Sequence, residues 1–204
     1  MSDAMGTLNS FGDRIEEDGT ENEKMIFQTY LRMVNADATT TQEYLASLTG
    51  VDSLTMAALH CRDHGVPNEY GARLLSEAEA GRYQATHALL SYMWLLNNGC
   101  DADVSPDQRA RILESVRAII ASELENSYDL KIEATAFLLS AGQEKLIPAD
   151  WIDLMLDLQN DDGGWTAAPW WPGGMSVPHT SMSALWALLA VRDAETNFTS
   201  MLPE

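Results

Sequence analysis

Three polar residues stand at or near the starts of apolar stretches: His87, Glu133 and His179. Two histidines and a carboxylate, brought together, can bind a metal ion such as zinc or work as an acid–base pair. Each residue also has a plainer reading. His179 follows Pro178 and fits beside a helix N-cap, and Glu133 fits as a favourable first-turn acid. His60 and His64, four apart on one expected helix, form a spacing that can chelate zinc if a third ligand comes from elsewhere. Placed just before Gly65, they equally suit the negative end of a helix dipole. Cys61 and Cys100 are too few for a disulfide framework and read as buried small hydrophobes.

The elements that must position these groups are helices. Residues 1–19 carry Gly6, Gly12 and Gly19 among polar residues without periodicity and read as a mobile tail. From Thr20, the residues Met25, Ile26, Tyr30, Met33 and Val34 recur at helical spacing, and a short helix is expected over 41–48. A repeated syntax follows: an Ala/Leu-rich helix, a glycine, a proline-bearing link and a second helix. It runs 53–64 to about 80, then 83–98 to about 125, then 130–140 to 158, with a last helix over 180–191. Glycine after a helix and proline at its first position are the expected punctuation, and Ser105 before Pro106 is a good N-cap. The first helix of each pair is apolar nearly all round (Ala136-Phe137-Leu138-Leu139), whereas the second is amphipathic (Ile112, Val116, Ile119, Ile120). That difference assigns the first kind to the inside and the second to the outside. No strand is expected.

Composition narrows the partners. The 204 residues are 46% hydrophobic, enough for one domain with a full core. Thirty-one acids against twelve bases give a net charge of -19, which argues against nucleic acid and anionic membrane surfaces. No run is long enough to span a membrane, and no basic, apolar leader opens the chain, so the expected address is cytoplasmic. Neither a Gly-rich phosphate loop nor a Gly-x-Ser-x-Gly elbow occurs.

The most distinctive run is Gln159-Asn160-Asp161-Asp162-Gly163-Gly164-Trp165, set between the apolar segments 151–158 and 183–191. Together with Pro178-His179-Thr180 and the Ala184-Leu185-Trp186-Ala187-Leu188 that follows, it resembles the Gln/Trp repeat of the terpenoid cyclase and protein prenyltransferase superfamily. The close match covers about 30 residues, and the hairpin syntax extends it loosely over about 140. The resemblance implies antiparallel αα-hairpins in an α/α-toroid, with His87, Glu133 and His179 facing the mouth of a central cavity. In prenyltransferases a His-Thr at the place of His179-Thr180 supplies a zinc ligand.

Within the motif itself, the glutamine amide can satisfy open backbone groups, the glycines allow positive φ, and Asp162 can cap. Trp165 then serves as the hairpin clasp or touches a ligand, and Asp161-Asp162 caps the turn or meets a metal. The following loop carries Trp170 and Trp171 between prolines and glycines. These can cover the cavity, stack on a sugar or isoprenoid, enter a dimer interface, or pack on their own domain.

Departures from the family are equally plain. The Asp-x-Asp-Asp of proton-donating cyclases and the Asp-Asp-x-x-Asp of ionising synthases are absent. Thr86-His87 and Ile132-Glu133 stand where prenyltransferases place other residues, so the zinc triad does not carry over. Three or four hairpins also fall short of a full ring of six. The expectation is therefore an all-α partial α/α-toroid over 20–195, followed by a C-terminal tail over 196–204. It would bind an apolar small molecule or a protein partner on the concave inner-helix face, as a homodimer. The alternative is an enzyme or enzyme fragment acting on an isoprenoid-like or carbohydrate ligand.

Overall fold

A computed structural model describes residues 12–122, 127–170 and 172–194. Among them the chain is helical throughout, with one isolated bridge, Gln159 to Trp165, and no strand. In chain order the helices are α1 (Glu21–Leu31), α2 (Gln42–Ser47), α3 (Gly50–Leu59), α4 (Cys61–His64) and α5 (Tyr70–Ala80). They continue with α6 (Arg82–Asn97), α7 (Pro106–Ala121), α8 (Tyr128–Ser140), α9 (Trp151–Asp157) and α10 (Pro178–Ala194). No helix among the described residues is long and apolar enough to cross a membrane. The expected C-terminal tail, Trp171 and the stretch 123–126 lie outside the described residues.

Local chemistry explains the helix starts. Thr20 and Ser105 each accept from a backbone N–H three residues on, while Glu23 and Gln108 reach back, completing two capping boxes. Pro106 opens α7 and Pro178 opens α10, where a missing N–H costs nothing. Two expectations need correction. Residues 12–18 of the expected tail are helical, and Gln28 donates to Glu16 at 3.0 Å. The helix expected over 53–64 breaks at His60, so α3 and α4 are separate.

The core is ordered by the all-apolar helices. α3 packs on α6, α6 on α8, and α8 on α10, while α5 and α7 pack against each other; α5 also covers α6, and α7 covers both α6 and α8. α8 is the most enclosed element, buried continuously from Ile132 to Ser140. α10 approaches it through small residues, Ser183, Ala184, Ala187 and Ala190, all buried. Small side chains let the two backbones come close. The opposite side of α10 stays bare, with Met182, Leu185 and Leu189 exposed.

The cysteine expectation is overturned. Cys61, at the start of α4, and Cys100, in the link before α7, form a disulfide across 39 residues. The chain runs out along α5 and back along α6, which brings the two ends together. His60 and His64 each turn Nε2 to a backbone carbonyl. His60 is fully buried with Nε2 2.9 Å from the Thr29 carbonyl, and His64 Nε2 lies 2.9 Å from the Thr40 carbonyl. Both tie α1 and the segment after it to the α3–α4 corner.

Candidate functional site

The first turns of α6, α8 and α10 converge on one cluster of ionisable side chains. Tyr83 and His87 come from α6, Asp129 and Glu133 from α8, and His179 and Thr180 from α10. Asp129 and Glu133 are four apart and so share one face of α8, and both are buried. His87, Glu133 and His179, far apart in sequence, are thus brought into contact.

The Gln159–Trp165 run sets the position of α10 and hence of His179. Gln159 Nε2 donates to the Gly163 carbonyl at 2.8 Å, and Gly163 holds φ at 85°. Asp162 Oδ1 accepts from the Gly164 N–H at 3.0 Å and from the Ser176 hydroxyl at 2.5 Å. These bonds hold the Asp162 carboxyl below its usual range, the Ser176 contact contributing most. Trp165 is buried and donates Nε1–H to the Met155 carbonyl at 2.7 Å. Its backbone N–H reaches Ser181 Oγ at 2.9 Å, and its carbonyl accepts from Val177 at 2.8 Å. Trp165 is therefore committed to the clasp and offers no ligand surface, and Asp162 is committed to the turn. A further bond, Asp129 N–H to the Ala167 carbonyl at 3.1 Å, pins the segment after the clasp to the start of α8. Trp170, three residues on, stands largely in solvent.

Asp129 is the hub. Its Oδ1 receives His179 Nδ1 at 2.9 Å and the Thr180 hydroxyl at 2.5 Å, and its Oδ2 receives the Tyr83 hydroxyl. Burial alone would push this carboxyl up. The bonds from His179, Thr180 and Tyr83, with the imidazolium charge, outweigh burial and hold it below the usual range. The Tyr83 hydroxyl is pushed above its ordinary value, chiefly by burial and then by its bond to Asp129.

His179 sits between two carboxylates, with Nε2 3.1 Å from Glu133 Oε2. That separation makes an ion pair, although Glu133 Oε2 receives no well-directed hydrogen bond. The Asp129 bond, then the Glu133 contact, raise His179 to about 10 against the opposing effect of burial. At neutral pH it is an imidazolium with both N–H groups engaged.

Glu133 and His87 form the second half of the cluster. Glu133 is almost wholly buried, and neither carboxylate oxygen has a directed hydrogen bond. His87 Nδ1 lies 3.6 Å from Glu133 Oε1 and 2.8 Å from the Tyr83 carbonyl. A carbonyl oxygen can only accept, so Nδ1 carries the hydrogen in neutral His87. Nε2 is then a lone pair, and it meets no partner among the described residues.

Sequence reasoning found three members of the cluster and missed Asp129, Tyr83 and Thr180. The helix start expected at Leu130 falls at Tyr128, which brings Asp129 into the first turn. Ser127, accepting from the Leu130 N–H at 3.3 Å, was the available N-cap signal. Among the described residues, no group of three His, Cys, Asp or Glu side chains is arranged to hold a metal ion. Both nitrogens of His179 already face carboxylates, which removes it as a ligand in this arrangement. A separate cavity of about 860 Å3, lined by Val66, Glu69, Tyr70, Asp101, Asp103 and Gln108 among others, shares no residue with the cluster. No protein-family model, curated protein or solved structure matches this chain.

Proposed function

We propose that the protein is a ligand-binding module of α/α-toroid type whose binding place is the mouth formed by the N-terminal ends of α6, α8 and α10. The observation that carries this reading is the adjacency of a charged cluster and a bare apolar stripe on the same helix. At 100° per residue, His179, Met182, Leu185, Trp186 and Leu189 fall within an arc of roughly 120° on α10. Met182 and Leu185 are each more than half exposed. An apolar body lying along that stripe would bring a polar head to His179 and His87.

The ligand class that fits is an apolar chain ending in a hydroxyl. Its head would donate to the open Nε2 of His87, and its body would cover Met182, Leu185 and Leu189. The alternation of enclosed helices with covering ones, and the Gln159–Trp165 clasp, support the partial-toroid reading. A second copy of the chain is the other natural cover for the stripe, but a net charge of -19 on each copy opposes their approach.

Titration with farnesol, an isoprenoid alcohol, followed by the methyl resonance of Met182 and by tryptophan fluorescence, tests the proposal. Saturable shifts that Leu185→Glu abolishes are expected, with maltotriose giving none. Absence of shifts with farnesol, or a dimer mass in light scattering that Leu185→Glu returns to monomer, overturns it.

A further inference from the structure

The open nitrogen of His87 goes beyond binding. We infer that His87 is the proton-accepting residue of this site, with Glu133 as its carboxylate partner, and that the group it serves is the hydroxyl of a bound alcohol. The inference rests on the mouth of α6, α8 and α10 being the ligand site.

Three features combine. First, the ring is oriented: the Tyr83 carbonyl at 2.8 Å and the Thr86 hydroxyl at 3.3 Å both sit at Nδ1, which fixes the tautomer and turns Nε2 away from the helix. Second, charge created on the ring is met in advance. Proton uptake at Nε2 yields an imidazolium whose Nδ1–H lies 3.6 Å from Glu133 Oε1, a buried oxygen without a directed hydrogen bond. Glu133 already faces one cation, His179, through Oε2, and its Oε1 is left to face a second one formed on His87. Third, the other imidazole of the cluster is unsuited to the role. His179 holds its protons against two carboxylates and has no lone pair to offer.

The proton inventory is simple. The alcohol O–H proton moves to His87 Nε2, the oxygen keeps the bonding pair, and the new imidazolium faces Glu133 Oε1. The reverse step returns the proton to oxygen. No oxidant, reductant or further reactant is needed for this exchange.

Diethylpyrocarbonate reads the inference directly, because it acylates only unprotonated ring nitrogens that solvent can reach. The chain has four histidines, and peptide mapping by mass spectrometry follows each separately. His87 is expected to react at a rate within about tenfold of exposed His64. Buried His60 and doubly engaged His179 should react at least about tenfold more slowly than His87. Compared in alkaline buffer, where a free imidazole is unprotonated, Glu133→Gln should slow His87 by about threefold or more and leave His64 unchanged. Long-range nitrogen-proton correlation on the unmodified protein, which requires no variant, should show His87 with Nδ1–H and a bare Nε2.

An Nε2–H tautomer, or a His87 as inert as His60, overturns the inference. A His87 rate indifferent to Glu133→Gln removes the carboxylate partnership and overturns it equally. Farnesol should protect His87 and spare His64. Full reactivity of His87 without farnesol protection instead refutes the ligand proposed above while leaving the proton-accepting nitrogen in place.

Discussion

His179 Nδ1 lies 2.9 Å from Asp129 Oδ1 across fifty residues of sequence, and this contact joins α10 to α8, the most enclosed helix. It is reinforced on the same carboxylate by Thr180 from α10 and Tyr83 from α6. A single buried side chain therefore ties three helix starts together.

Removing that hub should be severe. Asp129→Ala leaves the His179 charge without its main partner and strips the hydroxyls of Thr180 and Tyr83, a loss of about 3–5 kcal/mol. Native stability of a domain this size is about 5–15 kcal/mol, so urea unfolding should show a large drop in midpoint. Asp129→Asn should fall between that variant and the parent. A change under about 1 kcal/mol for Asp129→Ala would mean the network contributes little.

His179 and His60 give opposite pH dependence. His179 is raised to about 10, so the folded form binds the extra proton and its stabilisation is complete below the ordinary histidine value. That contribution is lost as pH rises through about 10. His60 is lowered, mainly by burial, so the unfolded chain binds the proton more readily and stability falls as pH drops below the ordinary value. Urea midpoints measured across this range should decline on both sides. His179→Gln should flatten the alkaline limb alone, and an unchanged alkaline limb would contradict the His179 assignment.

The disulfide is open to direct count. Intact protein should titrate with no free thiol and reduced protein with two, from Cys61 and Cys100. Closing a loop of this length lowers unfolded-chain entropy by an amount worth about 4 kcal/mol, so Cys100→Ser should lose a substantial part of that. Such a bond persists in an oxidising compartment, whereas the cytoplasm expected from the sequence is reducing. Two reactive thiols in protein purified without reductant would refute the pairing.

The clasp should be sensitive at Gly163 and Trp165. Gly163→Ala places a Cβ on a residue with φ of 85°, which costs about 1–2 kcal/mol. Trp165→Ala empties a buried site and leaves the Met155 carbonyl without its donor, for about 3–5 kcal/mol. Because the clasp positions α10, both variants should also weaken His179 protection from diethylpyrocarbonate. Equal protection in variant and parent would separate the clasp from the site.

Much of the architecture was legible in the residues themselves. The capping boxes at Thr20 and Ser105, the prolines that open α7 and α10 and the apolar character of α6, α8 and α10 are local signals with local causes. They determined an all-helical chain, its helix order and the polar residues His87, Glu133 and His179 at helix starts. Helical spacing misled at Met33 and Val34, which lie past the end of α1 and are exposed, because Arg32 turns away to the Ala38 carbonyl and Asp63. Tertiary structure alone decided that Asp129 and Tyr83 belong to the cluster, that Cys61 meets Cys100, and that His60 faces Thr29. These contacts span 31 to 46 residues, beyond the reach of a helical period, and depend on where separately formed helices dock.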